Sequence, residues 1–226
     1  MAQTWNDLLF AHWPVAPNVL RALVPPELPL DTYDGTAWLA VTPFHMTGIR
    51  ARGLPPIPGL SRFPELNVRT YVILDGKPGV YFFSLDAGSS SAVAAARATY
   101  HLPYFNARMS IAAGDDGAIH YRSNRVDRRA APAHFTARYR PTGPIAHAAS
   151  GTLDHWLTER YCLYAVDRRG RLYRTDWFRF QIEVSRGDIL RLEPVNIAAR
   201  RVQVPGDEEF KQDLVEDVVK ANAASA

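Results

Sequence analysis

Residues 65–74 read ELNVRTYVIL, and their side chains alternate in type. In a strand, Glu65, Asn67, Arg69, Tyr71 and Ile73 point one way, while Leu66, Val68, Val72 and Leu74 point the other with Thr70 among them. A carboxylic acid, an amide, a guanidinium and a phenol in one row can hold and protonate a small organic molecule. Arginine clamps a carboxylate or enolate bidentately, and glutamate moves a proton. Glu65 and Arg69 stand roughly 13 Å apart along a strand, so they would bracket a ligand rather than pair. A plainer reading is equally open, in which the polar row faces water. The aromatic residues nearby (Tyr71, Tyr81, Phe82, Phe83, Tyr100, Tyr104, Phe105) suit a lined pocket or a barrel core.

Other chemistry is sparse. Of 26 basic residues only Lys77, Lys211 and Lys220 are lysines, and arginine supplies no neutral amine. The lone cysteine, Cys162, excludes an internal disulfide framework and a multi-thiolate zinc site, and its apolar strand points to packing. None of the seven histidines shows metal-ligand spacing, so no metal is expected. His101 stands out, because it precedes Leu102-Pro103-Tyr104 at a helix end. Glycine-rich nucleotide loops, the nucleophile elbow and the HExxH zinc helix are all missing, and no cofactor is expected. Six arginines (Arg122, Arg125, Arg128, Arg129, Arg138, Arg140) crowd one stretch. They read either as a phosphate-binding patch or as a solvated sheet edge.

The elements that must carry these groups are mostly strands. The chain has 226 residues, 47% hydrophobic and 22% charged, with net charge +3, which suits one globular domain over residues 1–226. No run is apolar enough for a membrane helix, and the N-terminal residues lack a secretory pattern, so a cytoplasmic protein is expected. Leu8 to Trp13 predicts a first strand, and Pro17 opens a short helix ended by Pro25-Pro26. Asp34-Gly35 and Asp75-Gly76 mark hairpin turns. Ser89 caps an alanine-rich helix stopped by Pro103, and Thr152 caps another. Strands are predicted over residues 108–113, 118–126, 134–140, 161–166, 172–184 and 189–195. A tail helix carries Phe210, Leu214 and Val218 on one face. The fold class is mainly β with a few helices.

Several segments together resemble the YqjF-like family, within the acetoacetate decarboxylase-like superfamily. They are WNDLLFAHW at 5–13, LVPPELPLD at 23–31, ELNVRTYV at 65–72, PGVYFFSLDA at 78–87, RATYHLPYFNA at 97–107 and GTLDHWLTERYCLY at 151–164. After Arg174 the fit loosens. Family members often carry a His-His-Pro-Trp-like stretch there, where this chain reads Thr175-Asp176-Trp177-Phe178. The resemblance implies an antiparallel β-barrel with flanking short helices, a C-terminal helix and a central pocket.

True acetoacetate decarboxylases have an arginine, then six residues on a proline followed by two lysines, the first forming a Schiff base. Arg97 and Pro103 keep that spacing here, but Tyr104 and Phe105 follow. Neither forms an imine, so Schiff-base decarboxylation is not expected. Glu65 lies where the superfamily tends to have a pocket acid.

The expected partner is a small organic molecule, anionic or carbonyl-bearing, with a second copy of the chain left open. Glu65, Tyr104 and His101 are the candidate proton-handling groups, and Arg69, Asn67, Tyr71 and Arg97 the candidate binding groups. A non-catalytic binding module is the second reading, and an arginine-rich nucleic-acid binder the third.

Overall fold

A computed structural model describes residues 2–50, 55, 61–141, 148–167, 169–176, 181–186 and 188–190. The predicted tail helix and the strand beyond residue 190 lie outside the described residues. In chain order the elements are β1 Ala2–Asn6, β2 Ala11–Val15, α1 Pro17–Arg21, β3 Ala37–Arg50, β4 Phe63–Leu74, β5 Lys77–Ala87, α2 Ser90–Tyr100 and β6 Tyr104–Ala113. Then follow β7 Ile119–Arg125, β8 His134–Tyr139, α3 Leu153–Thr158, β9 Cys162–Val166, β10 Leu172–Asp176, β11 Gln181–Arg186 and β12 Asp188–Leu190. No described helix is long and apolar enough to cross a membrane.

The strands form one curled half-barrel sheet in the order β12-β11-β1-β3-β4-β5-β6-β7-β8, with β2 added to β3 and the β9–β10 hairpin added to β5. Most pairs are antiparallel, as tight turns such as Asp75-Gly76 dictate. Three are parallel: β1 with β11, β5 with β6 and β5 with β9. The β5–β6 pair follows from α2, which lies between them and returns the chain to run beside the last residues of β5. The expected first strand, Leu8 to Trp13, starts instead at Ala11 as β2, and a separate strand, β1 over Ala2–Asn6, precedes it. Asp7 takes a left-handed conformation (φ 51°) between them and breaks the extended run. The predicted strand 172–184 divides into β10 and β11. The caps form as predicted. Ser89 Oγ accepts from the Ala92 amide and Thr152 Oγ1 from the His155 amide.

β4 is buried on both faces. Leu66, Val68 and Val72 join Leu9, Trp13, Leu28, Val41, Tyr121 and Phe135 in the largest core cluster. The opposite face carries Glu65, Asn67, Arg69 and Tyr71, each no more than 2% exposed. The plainer reading, a row in water, is therefore not the one realised.

One irregularity in β5 matters for that face. Asn67 pairs with Leu85 and Val68 with Ser84, but Arg69 pairs with Phe82, so Phe83 is an extra residue on β5. Without it, residues 82 and 85 would point to opposite sides. With it, Phe82 and Leu85 share the Glu65 face, and Phe83 turns into the large core.

Gly79 is required where β5 meets β9. A Cβ there would lie 2.7 Å from the Tyr164 ring and 2.8 Å from the Cys162 carbonyl oxygen. The backbone oxygen cannot swing away. Gly79→Ala is expected to destabilise by about 1–3 kcal/mol, as overpacking of a core does, read as a lowered denaturation midpoint.

Candidate functional site

Glu65 is positioned by the pleat of β4, between Phe44 on β3 and Ala87 on β5. Its carboxyl group meets the Tyr104 hydroxyl, which donates to both oxygens at 3.2 and 3.3 Å. Asn67, one pleat further along β4, faces the same cavity and also favours the ionised form of Glu65. Burial dominates, and it pushes the Glu65 pKa up to about 8 against the two side chains that oppose it. The carboxyl is therefore mostly protonated at neutral pH. The Tyr104 phenol is raised well above its ordinary range, first by burial and then by Glu65.

These three side chains face a cavity of about 380 Å³, a size ordinary for a small-molecule site. Trp5, Met46, Phe63, Phe82, Leu85 and Leu163 supply apolar walls. One flank of α2 closes it with Ser91, Ala92, Ala95, Ala96 and Thr99, spaced as one helical face. The alanines leave the room that larger side chains would fill. Among the described residues lining it, none is cationic. With Glu65 protonated, this lining carries no formal charge at neutral pH.

Behind the cavity lie buried polar atoms with no partner among the described residues. Thr42 Oγ1, Asn67 Oδ1, Arg69 Nε and Trp38 Nε1 are all of this kind. Thr42 sits directly across from Asn67 in the β3–β4 ladder, so two of them are neighbours. A buried polar atom without a partner costs about 1–3 kcal/mol, which makes this stripe a place that recruits a polar group.

Arg69 and Tyr71 share the face of Glu65 but not its cavity. Arg69 lies 5.3 Å from the centre of the Phe10 ring and 6.0 Å from that of Tyr71, and its charge acts on the Tyr71 hydroxyl. That hydroxyl donates to the Leu157 carbonyl at 2.9 Å and lies 2.6 Å from His12 Nε2. Because the phenol has a single proton and gives it to Leu157, His12 Nε2 is the donor, a role that a neutral imidazole with its proton on Nε2 fills. Burial first and Arg69 second lower its pKa to about 3, in agreement. Trp156 packs 4.8 Å from Tyr71, and Arg160 lies over Trp156 while pairing with Asp31 at 2.5 Å. This is a packed structural cluster in which Arg69 Nε is left without a partner among the described residues. His12 and Arg160 lie within stretches that carry the family resemblance, but no spacing in the sequence marks either as part of a site.

The remaining two candidates lie on the other flank of α2. His101 ends the helix in a left-handed conformation (φ 53°), its ring centre 5.1 Å from that of Tyr173. Arg97 donates to the Tyr104 carbonyl at 2.8 Å. It steadies the start of β6 from behind and does not line the Glu65 cavity. The structure thus brings Glu65, Asn67 and Tyr104 together, keeps Arg69 and Tyr71 deeper on the same face, and separates His101 and Arg97 from them. The six arginines of residues 122–140 also divide. Arg122, Arg128 and Arg140 are exposed, Arg129 and Arg138 pair with Asp127 and Asp116, and Arg125 is buried against Asp86.

Comparison with known proteins bears on the whole chain. Among solved structures, an acetoacetate decarboxylase from Legionella pneumophila is similar at a TM-score of 0.49 and 12% identity, over 75% of this chain and 63% of that one. The enduracididine biosynthesis enzyme MppR with bound HEPES is similar at 0.49 and 12%, over 74% and 64%. The chain thus spans less than two thirds of either. In sequence, the uncharacterized protein YqjF of Bacillus subtilis (strain 168) is 54% identical over 176 residues, 78% of this chain and 71% of the relative. The profile of DUF2071, described as an uncharacterized conserved protein (COG2071), matches residues 2–215. With that match covering nearly all of its length, the chain belongs to the DUF2071 family.

Proposed function

We propose that the protein is an enzyme acting on a small, neutral, largely apolar molecule with a carbonyl group, and that it moves a proton next to that carbonyl. The observation that carries this reading is the protonated Glu65 held against the Tyr104 hydroxyl at the wall of an apolar cavity. The uncharged lining favours a neutral substrate over an anion. The unpartnered atoms behind Asn67 favour one with a polar end.

Tyr104 turns its hydroxyl from Glu65 to the carbonyl oxygen and stabilises the charge that develops there. Glu65, in its ionised form, takes the α-proton and returns it. A general base is most effective when its pKa lies near the working pH, and a value of about 8 meets that condition. No amine faces this cavity among the described residues, so the chemistry runs without an imine.

The test is exchange of α-protons in heavy water for a panel of ketones and aldehydes, followed by proton NMR. Exchange is expected for at least one neutral compound, rising with pH up to about 8. Tyr104→Phe is expected to slow it by about 10²–10³, the usual effect of removing one such donor. No exchange with any member, or equal exchange in Tyr104→Phe, refutes the reading. Saturable binding without exchange points instead to a non-catalytic binding module.

A further inference from the structure

The second flank of α2, carrying Ala94, Arg97, Ala98 and His101, borders a separate groove of about 1140 Å³. Arg97, Arg125, Arg129, Arg169 and Arg171 line it with Asp167, and Asp86 and Asp127, outside the lining, pair with two of them. They come from α2, the end of β7, the loop after it and the β9–β10 turn, so the fold gathers them from distant stretches. Carboxylates hold three of them by the inner nitrogen. Asp86 takes Arg125 Nε at 2.8 Å, Asp127 takes Arg129 Nε at 2.8 Å and its Nη2 at 2.5 Å, and Asp167 takes Arg171 Nε at 2.7 Å. A guanidinium gripped through Nε keeps a terminal edge for a second acceptor. The Phe105 ring, also in the groove wall, lies under two of the cations, 4.6 Å from Arg125 and 5.8 Å from Arg97. Cations fixed in advance in a concave wall bind anions with little ordering cost.

We propose that this groove binds a small organic phosphate carrying two or more negative charges. Phosphate oxygens match the planar fork of arginine, and several forks at one site match several charges. The concave shape favours a small molecule over a nucleic-acid strand. The exposed arginines of the β7–β8 face, Arg122 and Arg138, lie outside the lining.

Calorimetric titration of the intact chain with pyrophosphate and with ADP tests the proposal. Saturable binding of at least one is expected, weakened by added salt and by about tenfold for each of Arg129→Gln and Arg171→Gln. These two side chains are 48% and 61% exposed, and Asp127 and Asp167 keep their backbone hydrogen bonds from Asn106, Arg129, Arg169 and residue 171, so the variants are expected to melt like the parent, which a thermal scan checks. Glu65→Gln is expected to leave the binding unchanged, which separates this site from the carbonyl cavity. No saturable binding of either compound, undiminished binding in the double variant, or binding of a single-stranded oligonucleotide in place of both small anions overturns it.

Discussion

Glu65→Gln is expected to slow α-proton exchange by about 10²–10⁴ while making the protein more stable in alkali. The glutamine keeps the shape and can still hydrogen-bond Tyr104, but it neither gives up nor takes a proton. The stability gain follows from linkage. Folding raises the Glu65 pKa from 4.5 to about 8, so the folded state binds that proton more tightly than the unfolded chain does. Unfolding free energy therefore falls as pH rises from about 4.5 to about 8, by about 1.4 kcal/mol per pH unit and about 5 kcal/mol in all. His12 acts in the opposite sense at lower pH. Its pKa drops from 6.5 to about 3 on folding, so stability rises with pH across that window. Where the windows overlap, between about 4.5 and 6.5, the two slopes cancel. Urea denaturation from pH 4 to pH 9 is expected to show a plateau and then a decline, and the decline is expected to shrink in Glu65→Gln. A wild-type curve still rising above pH 7 contradicts the assignment of a buried, protonated Glu65.

Removing one member of the Asp86–Arg125 pair is expected to be the most damaging single change in the sheet. Both side chains are nearly inaccessible, at 3% and 4%, and they join β5 to the end of β7. Burial raises the Asp86 pKa even beside Arg125, which shows how costly the site is for a charge. Asp86→Ala strands a buried guanidinium, and about 3–5 kcal/mol of stability is expected to go with it. Replacing both partners with leucine strands nothing and is expected to recover most of the loss. Guanidinium denaturation of the two single variants and the double measures this directly. Additive losses would show that the pair is not coupled.

Much of the architecture is legible in the residues. The alternation of 65–74 predicts β4, and Ser89 and Thr152 announce the helices they cap. Periodicity cannot say what covers a polar face. Only the placement of α2 over Glu65 and of α3 beside Tyr71 turns the row inward, and those contacts span many residues of chain. The same limit explains the candidate site. Glu65 and Tyr104 meet because α2 carries the chain back so that β6 runs parallel to β5. Arg69 shares the pleat of Glu65, yet it belongs to another neighbourhood because Phe10 and His12 arrive from the chain's first segment. His101 and Arg97 look promising at a helix end, but a helix has two flanks, and these two residues take the flank away from Glu65.

The additional residue at Phe83 makes chain length part of the chemistry. A relative without the bulge would be one residue shorter within 82–84 and would keep its counterparts of Leu85 and Asp86 on their present sides, because that deletion restores plain alternation. Aligning relatives with a misplaced single-residue gap here would assign cavity walls to the wrong positions, however well their amino acids matched.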